Sequence, residues 1–314
     1  MTQPTASATP GRPLSGLRIG FFGKGGAGKT TVVVLLARAL RGRGYSVLVL
    51  DADSTNVGLA AALGLEREPE PLLGYFGGMI FAGGAVTCPV DDPSPLPGAC
   101  VALEALPSAC VGRSGDGVYL LVAGKLGPLG PGAGCDGPIA KISRDLRVTG
   151  IGPDAVVLVD FKAGFEDSAR GAVTALDWAL VVVDPTVAAL QMAIHLDRLV
   201  AQVQAGVPPA TRHLDRRDLV ELAIRQFRES PVRGVRAVLN RVRSGAAEAF
   251  LLQALERGGP PVLAVVGEDP AIQDQWLRGT RLESNDLELA AARLAEWLEE
   301  CSLRHGVPAT RRSS

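Results

Sequence analysis

The residues from Gly23 to Thr31 read Gly-Lys-Gly-Gly-Ala-Gly-Lys-Thr-Thr, a glycine-rich run closed by a lysine and two threonines. The spacing fits the phosphate-binding template G-x-x-x-x-G-K-[ST]. Gly23, Gly25, Gly26, Ala27 and Gly28 carry almost no side chain, so backbone N–H groups of the loop can close around phosphate oxygens. Lys29 would reach the β- and γ-phosphates, and the Thr30 hydroxyl would ligate Mg²⁺. Thr31 opens a stretch of helical character, whose N-terminus adds partial positive charge and free donors at the same point. Further along, Asp160 follows Val156-Val157-Leu158-Val159, the setting of a carboxylate that holds Mg²⁺ through water. Asp51 and Asp53 follow a second apolar run and would stand beside a γ-phosphate to position or polarise the attacking water. Asp160 to Gly164 has the D-x-x-x-G spacing of a switch loop, whose glycine N–H can sense that phosphate. Asn240 ends a further apolar run and is placed to hydrogen-bond adenine. Helix capping remains the alternative for the three aspartates, and a plain turn the alternative for Asn240.

These residues need elements that bring them to one place. Residues 17–22, 46–50, 118–122, 155–159, 179–183, 236–239 and 262–266 are short, continuous apolar runs. Strands of that kind, alternating with helices, are those of a parallel sheet covered on both faces. The expected fold is therefore α/β, a mostly parallel, doubly wound sheet with helices on both faces. In such a sheet ligands sit at the carboxyl ends of the strands. The glycine loop, Asp51, Asp53, Asp160 and Asn240 all follow strands, so one ligand site accounts for them. Helices are expected over 31–40, 57–65, after Gly137 to about Leu146, over most of 186–230 with a break at Pro208-Pro209, and over 285–301.

Residues 1–15 are rich in Thr, Ser, Pro and Ala and read as a disordered tail, as do the basic residues 305–314. Residues 16–304 read as a single domain, because strands recur to residue 266 without a linker. Within it, 66–134 is an irregular insert rich in glycine and proline. The net charge of −1 gives no bulk pull towards nucleic acid or anionic membrane. Aromatic residues make up only 4% of the chain, which disfavours base-stacking platforms, so nucleic acid is not an expected partner. No run is long and apolar enough to suggest a membrane span. Five irregularly spaced cysteines with no C-x-x-C pair suit a reducing cytoplasm rather than a disulfide framework.

A second lysine narrows the reading. Lys24 directly follows the first glycine, and Lys-Gly-Gly-Ala-Gly-Lys-Thr-Thr resembles the deviant Walker A motif of the MinD/ParA/nitrogenase-iron-protein class of P-loop ATPases. The resemblance implies that Lys24 crosses a homodimer interface to the partner's nucleotide. Val49 to Asp53 is similar to the switch I of this class, and Asp160-Phe161-Lys162-Ala163-Gly164-Phe165-Glu166-Asp167 to the corresponding stretch of CooC-type carbon monoxide dehydrogenase accessory ATPases. Gly124-Lys125, Gly134-Cys135 and Val183 to Thr186 are similar as well. CooC-type proteins carry Cys-x-Cys at the dimer interface, where this chain has Cys135-Asp136-Gly137, and an acidic residue where it has Lys162. The resemblance thus makes Cys135 a candidate ligand for zinc, nickel or an iron–sulfur cluster across a dimer. Two chains supply two such thiolates, against four ligands for a cubane cluster or structural zinc.

What this implies is an Mg-ATP-dependent dimeric switch ATPase, with Lys24, Lys29, Asp51 and Asp53 as the catalytic set, that assists maturation or metal loading of a client enzyme. Two other readings remain open. One is a reductase of the nitrogenase-iron-protein kind, which needs a cluster. The other is a positioning ATPase of the ParA/MinD kind acting on DNA or membrane. For the latter, Arg212, Arg216, Arg217, Arg225 and Arg228 are the basic candidates, or else a solvated helix face.

Overall fold

The apolar runs form strands that bury both of their faces. In the computed structural model, which describes residues 12–125, 135–169 and 171–305, the elements follow in this order. They are β1 (Arg18–Gly23), α1 (Lys29–Gly42), β2 (Ser46–Ala52), α2 (Leu59–Leu63), α3 (Leu72–Tyr75), β3 (Cys100–Ala102), β4 (Gly112–Arg113) and β5 (Tyr119–Val122). Then come α4 (Gly137–Asp145), β6 (Arg147–Thr149), β7 (Ala155–Phe161), α5 (Glu166–Ala169), β8 (Trp178–Val183), α6 (Val187–Gln204) and α7 (Arg217–Arg228). The chain continues through β9 (Val235–Val242), α8 (Gly245–Glu256), β10 (Val262–Gly267), α9 (Pro270–Arg278) and α10 (Asn285–Arg304). Eight strands make one sheet in the order β10-β9-β8-β1-β7-β2-β5-β4. Its pairings are parallel except for the edge pair β4–β5. The mostly parallel α/β sheet expected from the sequence is the fold.

Alternation along each strand divides the core in two. Phe22, Leu48, Leu50, Leu121, Val159, Phe161 and Val181 pack on one face, with α4, α6 and α8 residues. Ile19, Phe21, Val47, Val49, Leu120, Leu158 and Leu180 pack on the other, with α1 and α10 residues. Helix α1 buries Val32, Val33, Leu35, Leu36 and Leu40 there, and each such side chain contributes roughly 1.5–3 kcal/mol on leaving water. This burial fixes α1 against the sheet and so fixes the loop in front of it. The β2–β7 register makes Asp51 and Asp160 direct neighbours across the strand pair, while β1 places Phe21 opposite Asp160.

Order begins earlier than the composition of residues 1–15 suggests. Leu14 is fully buried in the same core cluster as the α1 and α10 side chains, and Ser15 donates to Asp154. One apolar side chain with a docking site outweighs the polar residues around it. At the other end, the His305 ring stands edge-on to Trp178. Residues 1–11 and 306–314, which make up the rest of the two expected tails, lie outside the described residues. Within the expected insert, Leu72, Met79, Val86, Leu96, Val101 and Leu106 join the core. There β3 pairs with β6 in a separate two-stranded sheet, short elements that composition did not reveal. Residues 126–134 of the insert lie outside the described residues.

Candidate functional site

The loop between β1 and α1 is shaped by its glycines. Gly26 and Gly28 sit at φ of 81° and 87°, the left-handed region that glycine adopts without strain. A Cβ at Gly28 would also stand 2.2 Å from Asn240 Nδ2. Gly28→Ala is therefore expected to cost about 1–3 kcal/mol of unfolding free energy and to weaken nucleotide binding with it. Chemical denaturation and calorimetry on the same sample measure both, and an unaffected variant would refute the close packing of the loop.

Around the loop lies a cavity of about 520 Å³, within the usual range for a small-molecule site. Gly25, Gly26, Gly28, Lys29, Thr30 and Thr31 line one side of it. Lys29 is buried. The Thr30 hydroxyl donates to Asp160 Oδ2 at 2.7 Å and accepts from Asn56 Nδ2 at 3.0 Å. Asp160 is fully buried, and its Oδ1 has no hydrogen-bond partner. Burial, followed by the charge of neighbouring Asp51, pushes the Asp160 carboxyl up to about 7, against the opposing pull of Lys29 and the Thr30 hydroxyl. A buried carboxylate oxygen without a partner, beside a threonine hydroxyl, is a hard-oxygen donor set suited to a divalent cation such as Mg²⁺.

The two aspartates after β2 part company. Asp53 lines the cavity, and its Oδ1 accepts from the backbone N–H groups of Thr55 and Asn56 and from the Thr55 hydroxyl. Asp51 does not line it. Its Oδ2 accepts from Lys125 Nζ at 2.7 Å and its Oδ1 from the Asp53 N–H. Burial pushes Asp51 up to about 6 even with Lys125 beside it. The water-positioning role expected of both residues thus has geometric support at Asp53 alone, because Asp51 is sealed under Lys125.

Two further expectations change in detail. The Gly164 N–H donates to Gly23 O at 3.1 Å, so in this conformation it faces the loop backbone rather than an open phosphate site. Asn240 Nδ2 donates to Ala27 O at 2.7 Å. The residue lines the cavity, but its amide nitrogen anchors the loop instead of standing open to adenine. Lys24 is half-exposed, 3.7 Å from Asp184 Oδ2. Cys135 accepts from the Gly137 N–H through its sulfur. Among the described residues no cluster of three or more His, Cys, Asp or Glu side chains could hold a metal ion.

The structure adds residues that the sequence did not single out. Arg241, at φ 59°, donates to Gly26 O and pairs with Glu268. Trp276 of α9 donates its indole N–H to the Thr31 hydroxyl at 2.9 Å. With Gly267, Asp269 and Ile272 they line the far side of the cavity. The end of the 262–266 strand was a usable signal for this wall, since ligands gather at strand ends.

A model of the CobQ/CobB/MinD/ParA nucleotide-binding domain matches residues 21–282. The chain is 28% identical over 185 residues to an uncharacterized ATP-binding protein of Methanocaldococcus jannaschii, covering 58% of this chain and 73% of that protein. It is 30% identical over 184 residues to the carbon monoxide dehydrogenase accessory protein CooC of Rhodospirillum rubrum, covering 58% and 68%. The septum site-determining protein MinD of Pyrococcus horikoshii, solved with Mg-ADP, superimposes with a TM-score of 0.58 at 20% identity. That match covers 92% of this chain and 98% of that one, and it bears on the fold alone.

Proposed function

The chain belongs to the CobQ/CobB/MinD/ParA nucleotide-binding domain family, and from that premise we propose that it is an Mg-ATP-dependent switch ATPase that closes into a homodimer and assists maturation or metal loading of a client enzyme. The observation that carries this reading is that Lys29 and Thr30 line one cavity, while the buried Asp160 accepts from the Thr30 hydroxyl with one oxygen and has no partner for the other. Lys29 and the loop amides bind the phosphates. Thr30 and Asp160 are the residues that would hold Mg²⁺. The ion, when bound, offsets charge on the phosphates and on the leaving group. Asp53 orients the attacking water, and Gly164 reports the γ-phosphate by exchanging its bond to Gly23 O for one to the nucleotide. Phosphoryl transfer needs little more than such positioning and charge stabilisation.

The homodimer is supported by what surrounds the loop. Val57, Phe165 and Val187 are large apolar side chains left exposed. They follow β2, β7 and β8, the strands whose carboxyl ends flank the nucleotide cavity. A second copy would cover them and bring Lys24 to the opposite nucleotide. The client reading rests on the likeness to the CooC accessory protein. Among the described residues no group of three or more His, Cys, Asp or Glu side chains gathers at Cys135, and the further thiol near it is that of the buried Cys88, which argues against a resident cluster held within one chain. Any metal is then cargo, and a nitrogenase-type reductase is disfavoured. Arg216 and Arg217 pair with Asp218 and Glu221, which compensates charge that a DNA backbone would require. No helix among the described residues is long and apolar enough to cross a membrane. The free cysteines among them fit a cytoplasmic setting.

Lys24→Ala separates this reading from an ordinary nucleotide-binding loop. The variant keeps Lys29 and the loop amides, so it is expected to bind ATP. Without the cross-subunit lysine it is expected to remain monomeric with ATP and Mg²⁺ and to lose most of its turnover, since a lysine in the dry interface stabilises charge that develops there. Light scattering and phosphate release measure the two effects. A variant that dimerises and hydrolyses like the unmodified protein overturns the cross-subunit mechanism.

A further inference from the structure

Lys125 lies just beyond β5, and its ammonium reaches three oxygens of a single segment. Nζ donates to the Asp51 carboxylate at 2.7 Å, to the Asp53 carbonyl at 2.7 Å and to the Asn56 carbonyl at 2.5 Å. An ammonium has three donors, and all three serve residues 51–56. That segment forms part of the cavity wall through Asp53, Thr55 and Asn56, and Asn56 Nδ2 grips the Thr30 hydroxyl. The lysine does not itself line the cavity, and it holds by their backbone carbonyls two residues, Asp53 and Asn56, that do.

We propose that Lys125 is a positioning residue for phosphoryl transfer: it tethers the 51–56 segment by its backbone carbonyls while compensating the buried Asp51 carboxylate, so that Asp53 and Asn56 stand beside Thr30. The proposal rests on the ATPase reading above. A lysine suits the task because the three oxygens converge on one point from separate directions. The planar fork of an arginine presents its donors in a fixed spread and matches paired oxygens instead. The two functions of Lys125 are separable, because Asp51 needs only a positive charge or its own neutralisation, whereas the carbonyls need a donor at one place.

The test uses the full chain and four variants: Lys125→Met, Lys125→Arg, Asp51→Asn and the double variant Lys125→Met/Asp51→Asn. Lys125→Met leaves Asp51 buried and uncompensated, and it is expected to lower both thermal stability and turnover. The double variant has no buried charge to compensate, so its melting temperature is expected to return to that of Asp51→Asn. Its kcat is nevertheless expected to stay at least tenfold below that of Asp51→Asn, with KM for ATP changed by less than about threefold, because the phosphate loop is intact. Lys125→Arg is expected to recover stability more fully than turnover. A double variant as fast as Asp51→Asn reduces Lys125 to a counter-ion for folding and overturns the proposal. Absence of ATP hydrolysis in the unmodified protein would sink the ATPase reading instead. The tether is then read by hydrogen exchange at residues 53–57, which should quicken in the double variant relative to Asp51→Asn. Unchanged exchange overturns it.

Discussion

Lys29→Ala is expected to lower ATP affinity by tenfold or more and to abolish measurable hydrolysis. The side chain is buried at the head of α1 and lines the cavity with Thr30 and Thr31. Hydrogen bonds to charged groups contribute about 1.5–3 kcal/mol, and about 1.4 kcal/mol corresponds to a factor of ten in affinity. Losing this one contact therefore accounts for the lower bound. A second consequence follows from its neighbour. Lys29 is among the groups that hold the Asp160 carboxyl down against burial, so its removal also favours the protonated form of the residue that would receive the metal. Affinity and metal dependence should fall together. Isothermal calorimetry at fixed Mg²⁺, repeated over a series of Mg²⁺ concentrations, measures both. Unchanged ATP affinity would remove the phosphate-loop assignment, and with it the ATPase reading.

Asp160→Asn is expected to stabilise the nucleotide-free protein at pH 8 while it removes turnover. Asp160 is fully buried, one oxygen lacks a partner, and Asp51 is its register neighbour. Its carboxyl is pushed up to about 7. The sign follows from linkage. An acid whose folded pKa is raised contributes stability below its unfolded value, near 4, and that contribution is lost as pH rises through the folded value near 7. Above pH 7 the ionised Asp160 is a net cost, which asparagine removes. The gain is expected to be on the order of 2 kcal/mol at pH 8 and to shrink towards zero near pH 4. Mg-ATP should reverse the ranking, because a ligand that binds only the folded state stabilises the protein that binds it. Urea unfolding at pH 5 and pH 8, with and without Mg-ATP, gives the comparison. If Asp160→Asn is the less stable protein at pH 8 without ligand, the carboxylate serves packing and hydrogen bonding rather than cation binding.

The sequence by itself determined the sheet, the loop and the chemical types at the strand ends. Runs such as Ala155 to Val159 are legible because a strand buried on both faces must be apolar at every position, a local requirement that no distant residue alters. The same holds for Gly23 to Thr31, where φ, side-chain size and helix start are all set within nine residues. Small elements such as β3 and β6 are not legible in the same way, because three residues carry no readable period.

What only the tertiary structure decided is which polar group each of these residues meets. Asp51 and Asp53 look equivalent in the chain, yet one is sealed by Lys125, 74 positions away, and the other faces the cavity. Asn240 spends its amide nitrogen on Ala27 O across 213 positions, and Trp276 closes on Thr31 across 245. Asp136, which follows Cys135, and Lys162, which stands where CooC-type proteins have an acidic residue, meet as an ion pair at 2.6 Å, with Ser54 donating to the same carboxylate. The physical reason is common to all of them. Hydrogen-bond partners are chosen by sheet register and by the packing of loops at the strand ends, and these arise from long-range burial that spacing along the chain does not encode.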